Sequence, residues 1–432
     1  MKGTLLSILL ISQAAMSQQS RPLLEEDHEI IQQLLKRVQY LEAQLSELKA
    51  QRAAVPGVPD GSAKSAAVVV KAETPAHAQP AETPGGQRSA PAQGAMAHEA
   101  PSGLPTMQIR GFGDVQYAAD NRKGATNSFA IGEFNLFITS KLSERVSILG
   151  EAVVAASQSL GPRPFNVSNE QTIDLERLQL QYSASDYLNL TFGRYHSAIG
   201  FYNTAYHHST WLQTAVNRPT VFAFEDDGGI LPIHSVGVSA SGHIPSGQLG
   251  LRYVAEISNG LASRSLDEPV QNVRDENNGK AVNFAIVARP GWVQGFQAGF
   301  SVYRDHLTPV SLPKIGETIL AAHAVWQTPK WELLNEAILI RHAQTDRVVR
   351  TTAFYTQASR QFGKLRPYFR YQYLNVPASD PVFSDAGLLY GPSLGIRYDF
   401  SEFAAFKVQY DRTDLRRLTG FNGLTTQLSF VF

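Results

Sequence analysis

The sequence predicts an all-β fold, a transmembrane antiparallel barrel of about sixteen strands, with a short α-helical coiled coil and a disordered linker ahead of it. Three observations carry this. Apolar and polar residues alternate with period two from about residue 106 to 432, with no helix-period stretch between the runs. Charged residues are scarce at 18% while aromatics reach 10%, against roughly 25% charged in an average soluble domain. A sheet this long leaves exposed edges unless it closes on itself.

Residues 1–17 read as a secretory signal. Lys2 precedes the apolar run Leu5–Leu6–Ser7–Ile8–Leu9–Leu10–Ile11, and Ala15 and Ser17 suit the cleavage positions. Residues 23–51 follow with Ile31, Leu34, Val38, Leu41, Leu45 and Leu48 at alternating steps of three and four. That is the a/d seam of a coiled coil, and roughly three heptads need partner copies to hold. Residues 52–105 are rich in Ala, Pro, Gly and Ser and too poor in large apolar side chains to offset chain entropy, so they form a disordered linker.

Residues 106–432 form the barrel. Strands are expected to centre near Val115, Leu136, Gly150, Leu180, Leu190, Val238, Tyr253, Ile286, Phe300, Ala322, Ile338, Thr356, Tyr371, Ile396, Val408 and Ser429. Phe369, Tyr371 and Tyr373 alternate with Arg370 and Gln372; Leu394, Ile396 and Tyr398 alternate with Arg397 and Asp399. Such runs give lipid one face and water the other. Tyr117, Tyr182, Tyr253, Tyr398 and Phe400 recur near strand ends, as interfacial girdles do. Two pairs blur the pattern, Ile319 with His323 and Glu336 with Ile338.

Several function classes fall away. Equal totals of 38 basic and 38 acidic residues give no footprint for nucleic acid. Cysteine is absent, which removes disulfides, zinc–thiolate centres and a thiol nucleophile. No cofactor-binding motif is present, and neither an enzyme nor a cofactor is expected. His207–His208, with His196 and His234 nearby, read as ordinary polar loop residues, because neighbours on a strand face opposite sides. Asp226–Asp227–Gly228–Gly229 lacks the ligand alternation of a calcium loop. No metal site is expected.

Three stretches carry a family resemblance. Thr426–Gln427–Leu428–Ser429–Phe430–Val431–Phe432 resembles the terminal strand, with Phe430 and Phe432, that outer-membrane assembly machinery reads. Leu190–Thr191–Phe192–Gly193–Arg194–Tyr195–His196–Ser197–Ala198–Ile199–Gly200–Phe201 resembles the strand leading into the constriction loop of bacterial outer-membrane porins, akin to the phosphate-selective, dicarboxylate and carbohydrate types. Tyr253–Val254–Ala255–Glu256–Ile257–Ser258–Asn259–Gly260 is similar to a strand end of the same group. The resemblance implies a sixteen-stranded, trimeric diffusion channel in the outer membrane, with the N-terminal region in the periplasm. The chain departs from a dedicated phosphate pore in lacking a dense ladder of Arg and Lys.

The site expected is therefore a pore. Residues 197–234 form the longest early connection, and its large apolar and aromatic residues suit packing against an inner wall. Its polar members Trp211, Arg218, Glu225, Asp226 and Asp227 are constriction candidates. Alternation assigns Arg110, Asp114, Glu133, Glu151, Arg177, Arg252, Arg289, Arg366, Arg370, Arg397 and Lys407 to the lumen, since an Arg facing lipid at midplane costs roughly 2–4 kcal/mol. Glu225, Asp226 and Asp227 are expected to oppose Arg366, Arg370 and Arg397 across a narrow eyelet, and balanced charge predicts modest ion selectivity. The competing expectation is a plugged barrel, acting as an anchor that binds cell wall or a partner through the coiled coil, or as an outer-membrane enzyme.

Overall fold

In the computed structural model the described residues are 106–432, apart from 159–166, 207, 209, 226, 262–273, 310–311 and 417. The signal, coiled-coil and linker expectations (residues 1–105) lie outside them.

The described chain is a closed antiparallel barrel in which each strand pairs with the next and β1 pairs with β16. The strands are β1 (Thr106–Asp120), β2 (Ser128–Lys141), β3 (Val146–Gln158), β4 (Val167–Ser185), β5 (Leu188–His196), β6 (His234–His243), β7 (Leu251–Ser258), β8 (Ala281–Ala288), β9 (Phe296–Leu307), β10 (Ile315–Gln327), β11 (Trp331–Ala343), β12 (Val348–Arg360), β13 (Leu365–Asn375), β14 (Leu388–Asp399), β15 (Ala404–Leu415) and β16 (Leu418–Val431). Every strand centre expected from the alternation falls within its own observed strand.

The pleat gives the barrel two chemically different faces. Outward positions hold Phe284, Phe300, Phe354, Phe369, Leu394, Ile396 and Val408, all exposed. In water this apolar band would be unfavourable; against hydrocarbon it is the required surface. Inward positions on β12 are Val349, Thr351, Ala353, Tyr355, Gln357 and Ser359, and all are buried.

Closure depends on two glycines of β1. The ring of Phe432 lies where a Cβ on Gly111 would sit, and the ring of Phe430 takes the same place over Gly113. Gly111 and Phe432 exchange backbone hydrogen bonds of 2.8 and 2.9 Å. Any side chain at Gly111 would displace the aromatic that covers the seam.

Alternation misreads one strand locally. Glu151 pairs with Arg177 and Ala152 with Leu175, so Glu176 is an extra residue in β4. Such a bulge lets two successive side chains face the same way. Glu176 and Arg177 are both buried, at 4% and 7% exposure.

Candidate pore constriction

The connection between β5 and β6 runs across the barrel interior. Its neck closes where Ser197 donates through its backbone N to Ile233 O at 2.9 Å and through its hydroxyl to Pro232 O at 2.5 Å. Gly200, at φ 71°, turns the chain inward, and the short helix Tyr202–Ala205 follows. The Glu336 carboxylate on β11 accepts from the backbone N of Phe201 and Tyr202 at 2.5 and 2.9 Å and from the Tyr355 hydroxyl at 2.6 Å. Glu332, two pleat repeats away on the same face of β11, accepts from the Tyr206 hydroxyl at 3.1 Å and from Gln357 at 2.7 Å. Burial, with the nearby Glu332 carboxylate, pushes the Tyr206 hydroxyl well above its ordinary value, so it stays a donor.

Farther on, cations of the opposite wall hold the loop by its backbone. Arg397 donates to Trp211 O at 2.7 Å and Gln213 O at 3.0 Å. Lys407 donates to Thr210 O at 2.5 Å and to Gln427 at 2.9 Å. Arg370 donates to Asn217 O at 3.0 Å. The acceptors Gln409 and Gln372 take the backbone N of Val216 and Thr220, each at 3.0 Å. The loop thus touches β11 through β15 although it springs from β5.

Apolar packing fills the space between. Ile199, Phe201, Tyr202, Val221, Phe222, Phe224, Leu231 and Ile233 form one buried cluster with wall residues Ile319, Val325, Leu334, Ile338 and Tyr355. This resolves the mixed runs of the sequence. Ile319 and His323, and likewise Glu336 and Ile338, lie on the same inner face, because this wall packs a folded loop rather than water. Burying side chains of this kind contributes about 1.5–3 kcal/mol each before ordering costs.

The sequence-selected residues separate into distinct roles. Arg218 is half-buried in the loop, donating to Phe222 O at 2.5 Å and Tyr206 O at 2.9 Å, with its guanidinium 4.1 Å from the Phe224 ring centre. Burial lowers its pKa from the ordinary value. Trp211 lies under Arg397, 5.8 Å from ring centre to guanidinium. Glu225 does not oppose the arginines: it accepts from His234 through the backbone N and Nδ1, both at 2.9 Å. The reason is local, since Glu225 sits on the returning limb that leads into β6. Asp227 lies on the adjacent turn, and Asp226 is outside the described residues.

On the wall, Glu151 pairs with Arg177, and Asp114 accepts from Gln427 at 2.9 Å and from the backbone N of Glu133 at 3.0 Å. Register brings Arg366 beside Arg397 and Arg397 beside Lys407, a row of three cations that the linear sequence disperses. Arg366 bonds to Gln361, and Arg397 also pairs with Asp399. Arg110 is exposed on the inner-facing parity of β1. Arg252 and Arg289 line a concavity beneath the start of the loop with Thr204, Gln297, Ser301 and His323. Arg289 donates to Gln297 at 2.7 Å.

Alternation alone left out an important group. His196 and His234 close β5 and β6 as cross-strand partners, and they are buried rather than ordinary loop residues. His208 lies between Glu133 and Glu176, 3.2 Å from each. Burial alone would lower the His208 imidazole, but the Glu176 and Glu133 carboxylates override it and hold it well above its ordinary value.

The anion-selective porin from Comamonas acidovorans superimposes with a TM-score of 0.55 at 11% identity, over 76% of this chain and 100% of that one. The fold is that of the sixteen-stranded porins. OmpF of Salmonella typhi, in complex with daunomycin, gives a TM-score of 0.52 at 12% identity over 76% and 97% of the two chains. The outer membrane channel DcaP of Acinetobacter baumannii gives 0.50 at 10% identity over 76% and 97%. No family model matches the sequence, and no curated protein does. At these identities the likeness is one of fold.

Proposed function

We propose that this chain is an outer-membrane porin through which small hydrophilic or charged solutes diffuse, without chemical change, past a constriction made by the β5–β6 connection. The observation that carries the reading is that a long connection lies inside a closed barrel and is tied to the opposite wall by Arg370, Arg397, Lys407 and Glu336. A surface loop has no need of such anchors.

Anions are the favoured class of solute. The lumen's carboxylates Asp114, Glu151, Glu256, Glu332 and Glu336 are engaged in hydrogen bonds or ion pairs. Arg252 and Arg289, which contact His243 and Gln297, border the concavity and give its lining positive charge that a passing anion meets. The comparison with an anion-selective porin fits the same direction. The barrel trimerises, residues 23–51 pair with their copies in the periplasm, and assembly machinery reads the Phe430/Phe432 strand.

A plugged barrel is the second reading, and the apolar cluster between loop and wall favours it. Purified protein in planar bilayers separates the two. Discrete conductance steps, with a reversal potential on the anion side in a salt gradient, support the channel; a protein that inserts and stays silent supports the plug. Replacing Arg252 and Arg289 by Ser moves the reversal potential toward cations.

A further inference from the structure

The neck of the inward loop holds a second kind of site. Glu176 from β4, His196 at the end of β5 and His234 at the start of β6 are all buried, and their donor atoms lie within 4.8 Å of one another. Three separate strands supply them. The bulge in β4 turns Glu176 inward, and the register pairs His196 with His234.

The neighbours orient the rings. His196 Nδ1 lies 3.1 Å from Asn203 O, a carbonyl that can only accept, so Nδ1 carries the proton and Nε2 is the donor atom toward a cation. His234 Nδ1 lies 2.9 Å from a Glu225 oxygen, which fixes the same tautomer. His234 Nε2 is then 2.5 Å from Glu176 Oε2, two lone-pair atoms that require a positive charge at their meeting point. A third imidazole, His208, reaches the same Glu176 oxygen at 3.2 Å and has Glu133 at 3.2 Å on its other nitrogen. An imidazole backed by a carbonyl or carboxylate on the far nitrogen is the arrangement that orients metal-bound histidine.

Glu133, Glu176 and Glu225 gather around these imidazoles, with Arg218 nearby. The positive charge that meets the carboxylates here is carried either by protons on His208 and His234 or by a divalent ion on neutral imidazoles, and the geometry of the donor atoms suits the ion.

We propose that Glu176, His196 and His234 bind a divalent transition-metal ion of the zinc type, with His208 as an exchangeable fourth donor. Mixed imidazole and carboxylate donors suit Zn²⁺, Co²⁺ or Cu²⁺; Ca²⁺ and Mg²⁺ take oxygen ligands. The ion joins both stems of the inward loop to β4, and so fixes the angle at which the loop leaves the wall.

The test uses full-length protein in detergent, stripped with a chelator and then dialysed against Zn²⁺, with bound metal measured per chain. Titration with Co²⁺ gives an independent optical readout of four-coordinate geometry. The wild type should hold one ion per chain and give the Co²⁺ band. Glu176→Gln should bind at least tenfold more weakly, and Glu225→Gln, which alters only the orienting carboxylate, about ten- to a hundredfold more weakly. His243→Gln, at the exposed far end of β6, should bind as wild type. Barrel integrity is checked by heat-modifiable gel mobility, and His208→Gln serves if a strand variant does not fold. Stoichiometric binding lost in Glu176→Gln supports the site. A folded wild type that retains no ion, or a Glu176→Gln protein that binds equally well, overturns it and assigns the positive charge to protonated imidazoles. Neither readout involves conductance, so failure here is distinct from failure of the channel.

Discussion

The two walls that grip the inward loop do so by opposite means. Toward β13–β15 the wall supplies cations, Arg370, Arg397 and Lys407, and the loop answers with backbone carbonyls. Toward β4–β6 and β11 the wall supplies carboxylates, and the loop answers with imidazole, hydroxyl and backbone N–H groups. The two kinds of contact make different demands on the sequence. A carbonyl is present at every residue, so the cationic side tolerates changes in loop side chains. The carboxylate side needs His208, Tyr206 and the turn at Gly200 in their places.

Removing an acceptor from the carboxylate side should have the largest effect. Glu336→Ala strands the Phe201 and Tyr202 N–H groups and the Tyr355 hydroxyl, each at a cost of about 1–3 kcal/mol. The loop should swing away from β11, and single-channel conductance should rise. Unchanged conductance would place the loop contacts outside the permeation path.

Truncating the cationic side should do less. Arg397→Met removes the partner of the Trp211 and Gln213 carbonyls, while Lys407 and Arg370 still hold the same stretch. We expect a loss of about 1–2 kcal/mol in barrel stability, read by urea unfolding, and a shift of reversal potential toward cations. A double variant with Arg370→Met should lose more than the sum of the singles if the anchors act together.

Swapping loop side chains sharpens the contrast further. Trp211→Leu leaves its carbonyl on Arg397 and should alter stability by under about 0.5 kcal/mol on the cationic side. Tyr206→Phe, on the other side, removes a buried hydroxyl between Glu332 and Gln327 and should cost about 1 kcal/mol.

The smallest effect concerns the β13–β14 connection. Asp380 accepts from the backbone N of Val382 and Phe383, both at 2.9 Å, and contacts His342. Burial alone would raise its carboxyl, but His342 and those N–H groups hold it below the ordinary value of 3.8. Its contribution is therefore complete above that value and is lost as pH falls through the depressed one. Amide exchange at Val382 and Phe383, corrected for intrinsic rates, should accelerate only in that acid window.

Strand positions were legible because lipid outside imposes a strict period of two. The outward faces of β13 and β14 repeat it without interruption, and all sixteen centres followed. Inner-wall charges were legible by exclusion from lipid, and Arg370, Arg397 and Lys407 do face inward and meet the loop. Who meets whom was not legible. Glu176 escaped because a one-residue bulge reverses its expected side, and no periodic signal marks a bulge. Glu225 was assigned to the arginines because distance along the chain says nothing about which limb of a folded loop faces which wall. The apolar inner face of β10 and β11 blurred the pattern because its partner is a loop, not water.

The pairing of β1 with β16 has a consequence for timing. Asp114 waits for Gln427, 313 residues later, and Asn422 finds Asn121 across 301 residues. Until β16 exists, β1 keeps a bare edge, ready to pair with any other extended chain. In this ring the partners of β1 are β2 and β16. The barrel therefore carries an unpaired strand edge until its last strand is made, and loses that edge in a single late step.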